Sequence, residues 1–428
     1  MPKLYTNVPI ANKSGKPVEK GYNMARDIVV LAYSGGLDTS VCLRWLQDEM
    51  DLDIVAVVGE VGQEHDDLEI TRKKALDMGC LECRVIDMRQ ELADNYLTWA
   101  LAANAKYEKK YPLLSALTRP VISKYLVDVA HEVGAKFIAH GCTGKGNDQV
   151  RFETAIHTLD PALGIIAPTR EWDLLTREQE MAWAEEHGVP IGQSKAKPYS
   201  IDDNLWGRAI ECGVLENPWN EPPDDIWTIT AEVDDAPDTP QLVEVEFEKG
   251  LPCGIDGEKM SYLDCIYKMN EIAGKHGYGR IDMIENRLVG VKSRECYELP
   301  GPLALILAHE ALEDMCLELE VLHFKPTVEH QWATLVYNGQ WFSPLKNALD
   351  AFLNYTQQSV NGTVRLKFYK GNCTVVGRKS DWSLYDEGLA TYGEGDTFDR
   401  SAAKGFIDLY SLPVTTWAIN QRSHGIEQ

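Results

Sequence analysis

An apolar run, Ile28-Val29-Val30-Leu31-Ala32, ends at Tyr33 and gives way to Ser34-Gly35-Gly36-Leu37-Asp38-Thr39-Ser40. No other stretch constrains the fold as strongly. Three β-branched residues and a leucine, with no polar break, suit a strand buried on both faces. The two glycines let the chain turn sharply, and Thr39 opens a segment that reads as helix. Strand, glycine turn and helix in that order aim backbone N–H groups and the positive end of a helix dipole at an anion. Ser34, Thr39 and Ser40 add hydroxyl donors. It is not a P-loop, because no lysine follows the glycines. A bare Gly-Gly turn is more readily a junction without a ligand. Hydroxyls on both sides of the glycines and the carboxylate of Asp38 favour a phosphate site.

The pattern around this loop repeats. Apolar strand candidates are Ile28–Ala32, Ile54–Val58, Arg84–Ile86, Phe137–Ala139 and Gly164–Ala167, with helical segments between them that include Asp66–Met78 and Ile122–Val133. Short β-rich runs alternating with helices predict an α/β unit, a parallel sheet covered on both faces, over residues 27–190. In such sheets ligands bind beyond the carboxyl ends of the strands. After about Pro190 the character changes. Val243–Phe247, Thr363–Tyr369 and Thr374–Gly377 read as hairpin strands, with Lys370-Gly371-Asn372 as a turn. Tyr262–Lys275, Pro302–Val321 and Pro344–Gln358 read as helices. This predicts an α+β domain over 191–411. The end, 412–428, is expected to form a short helix that packs on another subunit.

Sixty-six acidic against 42 basic residues give a formal charge of −24 over 428 residues. Such a surface repels nucleic acid and anionic lipid, so neither is an expected partner. No apolar run reaches the length of a membrane span. Several of the ten cysteines, such as Cys42, Cys265 and Cys316, lie in apolar runs, which suits reduced thiols in a cytoplasmic protein. Cys80 and Cys83 form a lone C-x-x-C, and the histidines lack metal-ligand spacing, so neither structural zinc nor a redox cofactor is expected. Residues 1–26 have no apolar signal core and read as a disordered extension, with Met24 as a candidate translation start.

A second glycine-rich stretch follows the strand candidate at Phe137. In His140-Gly141-Cys142-Thr143-Gly144-Lys145-Gly146-Asn147-Asp148-Gln149-Val150-Arg151, three glycines fall within six residues and Lys145 adds a point charge. Asn147, Asp148, Gln149 and Arg151 then open a helix. This set suits a zwitterion, with Arg151 or hydroxyls for a carboxylate and Asp148 for an ammonium. His140, just ahead of this loop, reads either as a packed strand-end histidine or as a residue that orients the loop. Lys195 and Lys197 read as a solvated pair near the junction of the two halves.

The first loop resembles that of the ATP pyrophosphatases, the adenine nucleotide α hydrolase-like fold. With the second loop added, the sequence from Asp27 to roughly Leu412 resembles the argininosuccinate synthase family. Supporting matches are Tyr111-Pro112-Leu113, Arg119-Pro120, Tyr199-Ser200-Ile201-Asp202-Asp203-Asn204-Leu205, Gly279-Arg280-Ile281-Asp282, Glu285-Asn286-Arg287 and Lys292-Ser293-Arg294. The resemblance implies an ATP pyrophosphatase domain followed by a synthetase domain and an oligomerisation segment in a homotetramer. It implies a ligase of arginine biosynthesis that uses ATP with Mg²⁺, L-citrulline and L-aspartate. Citrulline is activated as citrullyl-AMP with loss of pyrophosphate, and aspartate then displaces AMP. The positions carried over for ATP are Ala32, Tyr33, Ser34, Gly35, Gly36, Leu37, Asp38, Thr39, Ser40, Gly59 and Gly141. Those for citrulline are Tyr111, Ala116, Asn147, Arg151, Ser200, Ala209, Glu285 and Tyr297, and those for aspartate are Thr143, Asn147 and Asp148. Asp38, Lys145, Asp148 and Arg151 are expected to carry the chemistry, with Arg151 on the citrulline carboxylate. Asp148 is expected to orient the aspartate amine and to take its proton, and Mg²⁺ is expected near Asp38.

Two positions depart from the pattern. Ala116 and Ala209 stand where some family members place a hydroxyl against citrulline, and Ser115 is a neighbouring substitute. Two other readings share the first loop. A tRNA-modifying ATP pyrophosphatase would need a basic face, which the net charge disfavours. A nucleotide-binding regulatory protein without turnover would not need Asp38 and Arg151.

Overall fold

The computed structural model describes residues 26–63, 68–174, 176–190 and 199–426. The strands β1 (Ile28–Ala32), β2 (Asp53–Glu60), β3 (Glu82–Asp87), β4 (Phe137–His140) and β5 (Gly164–Ile166) form one parallel sheet in the order β3-β2-β1-β4-β5. Each lies within about two residues of its expected bounds. β1 shows why its composition works. Val29 and Leu31 enter one core with Val41, Leu43 and Leu46 of the helix Leu37–Met50. Ile28 and Val30 enter the opposite core with Leu126, Val127 and Ile156. Burying each such side chain contributes about 1.5–3 kcal/mol. The sheet runs outward from β1 to β2 on one side and from β4 to β5 on the other. A crevice therefore opens beyond the carboxyl ends of β1 and β4, where the two glycine-rich loops emerge.

The second half holds two antiparallel sheets. One is β11-β12-β7-β6, formed by β6 (Ser200–Asn204), β7 (Gly207–Glu211), β11 (Arg280–Asn286) and β12 (Lys292–Glu298). The other is β10-β9-β8-β13-β14, formed by β8 (Gln241–Glu248), β9 (Leu251–Ile255), β10 (Glu258–Lys259), β13 (Gly362–Tyr369) and β14 (Asn372–Lys379). Lys370 and Gly371, at φ 44° and 78°, close the β13–β14 hairpin as expected. Alternate residues Val243, Val245, Phe247, Val364, Leu366 and Phe368 face a core shared with the helices Tyr262–Lys275 and Pro300–Cys316.

That core also takes a long piece of the first half. Leu92, Tyr96, Leu97, Leu101, Leu113, Leu114, Leu117 and Val121 are buried in it. Residues between β3 and the helix Leu114–Val133 thus tie the parallel sheet to the second half. The division expected between 190 and 191 adjoins 191–198, which lie outside the described residues, as do Lys195, Lys197, 64–67 and 1–25.

Three helices differ from expectation. Leu114–Val133 begins eight residues before Ile122 and contains Pro120. The buried stripe of Leu114, Leu117 and Val121 holds that first part despite the hydrogen bond that Pro120 cannot donate. The stretch expected as Pro302–Val321 is two helices, Pro300–Cys316 and Leu319–Tyr337. Glu318 separates them by accepting bonds from the N–H groups of Glu320 and Val321. The C-terminal helix spans Arg400–Ser423, so the expected boundary at 412 falls inside it. It buries none of its residues, and Phe406, Leu409, Tyr410, Val414 and Trp417 are exposed. Gly405 and Pro413 mask its pattern in the sequence.

Candidate active site

The first loop follows β1, whose line is prolonged by a bond from the Tyr33 N–H to the Val57 carbonyl (2.9 Å). Gly35 sits at φ +79°, where a side chain would be strained and would meet Thr71 at 2.8 Å. Ser34 and Thr39 bond through their hydroxyls (3.1 Å), and Ser40 donates to the Gly36 carbonyl (2.7 Å). Tyr33 reaches Ser40 through its hydroxyl (3.1 Å). The helix Leu37–Met50 therefore starts from a loop folded on itself, with Asp38 in its first turn. Two groups missed in the sequence adjoin it. Lys74 donates to the Gly35 carbonyl (2.9 Å), and burial lowers its pKa. Glu180, on the helix Arg177–Glu186, is pushed up to about 8 by burial and by Asp38, to which it is hydrogen-bonded.

The second loop follows β4, which pairs with β1 through Ala32 and His140. Gly141 lies so close to Thr39 that an added Cβ would sit 3.1 Å from its methyl group. The two loops thus touch at the crevice. Gln149 closes the second loop from below, donating to the carbonyls of Gly144 (2.7 Å) and Gly146 (3.1 Å). His140 is buried, bonds Glu153 (3.2 Å) and accepts from the Cys142 N–H (3.3 Å), so it packs beneath the loop. Thr143 and Lys145 are exposed at the loop tip, while Gly59, one residue before the end of β2, lies against Met88.

A second cluster lies beside these loops, where the helix Asp148–Leu159 meets the sheet β11-β12-β7-β6. Residues paired across antiparallel strands project to one face, so Asp202, Ala209 and Tyr297 share a face with Ser200 and Glu285. Arg151 is 5% exposed; its Nε donates to the Tyr337 carbonyl (3.0 Å) and its Nη1 to Asp148 Oδ1 (2.8 Å). Glu285 is 4% exposed and accepts from the hydroxyls of Tyr297 (2.8 Å) and Tyr337 (2.6 Å). Burial raises its pKa against the pull of those phenols and of Arg151 and Arg287. Tyr111 stacks on Tyr297 with centroids 4.3 Å apart, and its hydroxyl accepts from the Ser115 N–H (3.2 Å).

Asn147 is held at both ends of its amide. It donates to the Tyr337 hydroxyl (2.8 Å) and accepts from the Leu288 N–H (2.8 Å) at the tip of the β11–β12 hairpin. The same tip places Arg287 against the Lys145 carbonyl (3.3 Å), with its other bonds to Glu211 and Glu295. Asp148 lies between two arginines, with Arg119 Nε 2.9 Å from Oδ2. Burial works against its charge, but Arg119 and Arg151 outweigh it and hold the carboxyl at about 2.

The fold thus gathers Tyr111, Asn147, Asp148, Arg151, Glu285 and Tyr297 into one cluster of mostly buried side chains. Ser200 lies on the same sheet face, and its side chain makes no bond to this group among the described residues. Ala116 is fully buried beside Ser115, and Ala209 lies in register with Tyr297. Sequence reasoning missed Tyr337, Tyr107 and Arg119 as parts of the pocket. A tyrosine ending a helix with apolar faces reads as core, and Arg119 carried no role beyond its match. No cluster of three metal-ligating side chains occurs among the described residues, and no helix there is long and apolar enough to cross a membrane.

Two glycine-rich loops at the switch point of a parallel sheet, beside a pocket pairing a buried arginine with a buried glutamate, define a class: nucleotide-using enzymes that act on an amino acid. The comparisons agree. Residues 28–190 match the family model described as the arginosuccinate synthase N-terminal HUP domain, and residues 199–417 match its C-terminal domain. Similar relatives include argininosuccinate synthases from Streptococcus gordonii and Streptococcus suis, each 56% identical over 91% of this chain and 97% and 98% of theirs. Another, from Bacillus licheniformis, is 54% identical over 93% of this chain and 98% of its own. The chain belongs to the argininosuccinate synthase family. With that family goes the activity, the ligation of citrulline and aspartate in arginine biosynthesis with use of ATP.

Proposed function

We propose that the ligation proceeds through citrullyl-AMP and releases AMP and pyrophosphate. The ureido oxygen of citrulline forms a bond to the α-phosphorus of ATP as the bridging bond to the β-phosphate breaks. The aspartate amine then bonds to the ureido carbon, loses a proton, and AMP leaves with the oxygen. A ureido oxygen is a weak nucleophile, so holding it in line supplies much of the acceleration. The observation that carries this reading is the Arg151–Glu285 pair beside the paired loops. A buried cation and a buried carboxylate fit the two ends of a zwitterion, with Arg151 on the citrulline carboxylate and Glu285 on its ammonium.

The remaining roles follow from position. Amides of 32–40 take the departing pyrophosphate, while Gly59 and Gly141 line the nucleotide. Lys145 stabilises phosphate charge, and Thr143, Asn147 and Asp148 hold aspartate. Mg²⁺ carried by ATP would lie near the Asp38 carboxylate in the first turn of the Leu37–Met50 helix and offset phosphate charge. The 27–190 segment serves as the nucleotide domain and 191–411 as the synthetase domain. The exposed apolar side of Arg400–Ser423 supports assembly as a homotetramer, and reduced buried cysteines such as Cys42 and Cys265 suit the cytoplasm.

The test is pyrophosphate release from purified protein with Mg-ATP, citrulline and aspartate, omitting each amino acid in turn. Release that needs citrulline, with AMP and argininosuccinate formed only when aspartate is added, is the expected result. ADP and phosphate as products would refute the adenylylated intermediate. Sedimentation velocity tests the assembly, with a tetramer as the expected species.

A further inference from the structure

Tyr337 ends the helix Leu319–Tyr337 and is fully buried, and it touches more of the pocket than any residue read from the sequence. Its hydroxyl donates to Glu285 Oε1 (2.6 Å) and accepts from Asn147 Nδ2 (2.8 Å). Its carbonyl accepts from Arg151 Nε (3.0 Å), and the Arg151 guanidinium carbon stands 4.9 Å over its ring. Tyr107 stacks on the same ring, at 3.5 Å between centroids and 4° between planes. Tyr111 meets the same ring edge-on at 6.4 Å. One residue therefore contacts both charged ends of the pocket and the amide between them.

We propose that Tyr337 is a positioning residue for citrulline: its hydroxyl holds the Glu285 carboxylate for the ammonium, while its carbonyl and ring hold the Arg151 guanidinium for the carboxylate. The spacing of the two charges is then set by a single side chain and its own backbone. A free amino acid carrying both charges can engage both groups at once, and a chain blocked at either end cannot. This inference rests on assigning Glu285 and Arg151 to the ends of citrulline.

Its chemistry gives a readout that packing alone would not. Glu285 is faced by Tyr107 and Tyr111 from the first half, by Arg151 and by Arg287. From the neighbouring strand and helix it is faced by Glu295, Tyr297 and Tyr337. Burial raises the carboxyl, and the Tyr337 bond is the foremost influence opposing that rise. Removing the hydroxyl lets the carboxyl gain its proton at higher pH. Citrulline binding, which needs the carboxylate, is then lost sooner as pH falls.

Kinetics on the full chain decide the matter, using wild type, Tyr337→Phe, Glu285→Gln and the double variant, with citrulline varied across pH at saturating ATP and aspartate. For Tyr337→Phe the citrulline KM rises about tenfold, as expected for a lost bond to a charged group, with a smaller change in kcat. The acid limb of kcat/KM for citrulline moves to higher pH, while KM for ATP changes by less than about twofold. The double variant matches Glu285→Gln alone within about twofold, because the hydroxyl acts through that carboxylate. It also removes the carboxylate that a lost hydroxyl would strand, so the comparison stands if Tyr337→Phe alone is unstable. An unchanged citrulline KM, equal rises for all three substrates, or additive losses in the double variant overturn the proposal. If Glu285→Gln raises the citrulline KM and Tyr337→Phe does not, only Tyr337 is wrongly placed. If Glu285→Gln leaves that KM unchanged, the assignment of the pocket fails first.

Discussion

The two halves of the candidate site are built on opposite plans. The Ser34–Ser40 loop is one contiguous stretch at the end of a strand, and its internal side-chain bonds span two to seven positions. Its ligand-facing groups are mostly backbone amides, which any residue supplies. The amino-acid pocket is drawn from Tyr111, Asn147, Arg151, Glu285, Tyr297 and Tyr337, and the bonds from Asn147 and Arg151 to Tyr337 span 190 and 186 positions. Its working groups are side chains, each held by another. A backbone site should tolerate side-chain changes and fail only where the chain path itself is altered. A site of interlocked buried charges should fail at any single truncation, because the partner is left uncompensated.

Arg151→Ala should therefore have the largest effect. It strands Asp148 beside Arg119 alone and removes the charge proposed for the citrulline carboxylate. Losing one member of a buried pair costs about 3–5 kcal/mol, so kcat/KM for citrulline should fall by roughly 10³-fold. Arg151→Lys should recover little, since a lysine cannot reach the Tyr337 carbonyl and Asp148 together. Steady-state kinetics and a thermal melt separate lost binding from lost folding. A decline under tenfold in a folded variant would break the contrast.

Gly35→Ala probes the other plan. It alters the path of the loop, through a φ of +79° and a Cβ 2.8 Å from the Thr71 methyl group. The strain is about 1–2 kcal/mol, so the KM for ATP should rise roughly tenfold with citrulline KM unchanged. Combining it with Thr71→Ser removes the methyl contact and leaves the hydroxyl at 3.0 Å and the φ penalty, so it should restore part of the loss. Equal damage to citrulline and ATP kinetics would show that the two regions are less separate than their construction suggests.

Asp148→Asn sharpens the contrast through pH. The folded carboxyl is held at about 2, below its ordinary 3.8. A group depressed on folding adds stability above its unfolded pKa and loses it as pH falls toward the folded value. The stability advantage of wild type over Asp148→Asn should be full at neutral pH and shrink as pH falls from about 5 toward 3. Urea denaturation at a series of pH values measures it. A constant difference across that range would mean that the carboxylate is not held by Arg119 and Arg151 in solution.

The same contrast explains what the sequence discloses. β1 and the loop after it are legible because strand, turn and helix signals adjoin one another, and local physics decides each. The second loop is legible for the same reason. The helix Leu114–Val133 is legible only from Ile122, because Pro120 looks like a break and tertiary burial overrides it. The helix carrying Tyr337 is hidden by Pro326 and by a preceding helix that ends at Cys316, three residues before Leu319. Residues 88–121 give no local sign that they pack into the second core. The pocket residues drawn from β11 and β12 were accessible through family resemblance, since no spacing rule relates Arg151 to Glu285.

The smallest effect concerns the two alanines at positions where some relatives carry a hydroxyl, and here the pocket plan predicts unequal outcomes. Ala209 lies on β7 in register with Tyr297 on one side and Asp202 on the other, on the sheet face that carries Glu285. A hydroxyl there joins the pocket at a half-buried position without disturbing a bond already made. Ala116 is 1% exposed within the helix Leu114–Val133. A serine there would bring a hydroxyl into the core that already holds Leu113, Leu114 and Leu117. Ala209→Ser should lower the citrulline KM by about threefold, the worth of one modest neutral hydrogen bond, and leave stability unchanged. Ala116→Ser should leave KM unchanged and lower the melting temperature slightly. Improvement at Ala116 alone would place citrulline against the Leu114–Val133 helix rather than against the β7 sheet face, and the pocket would have to be redrawn around Ser115 and Tyr111.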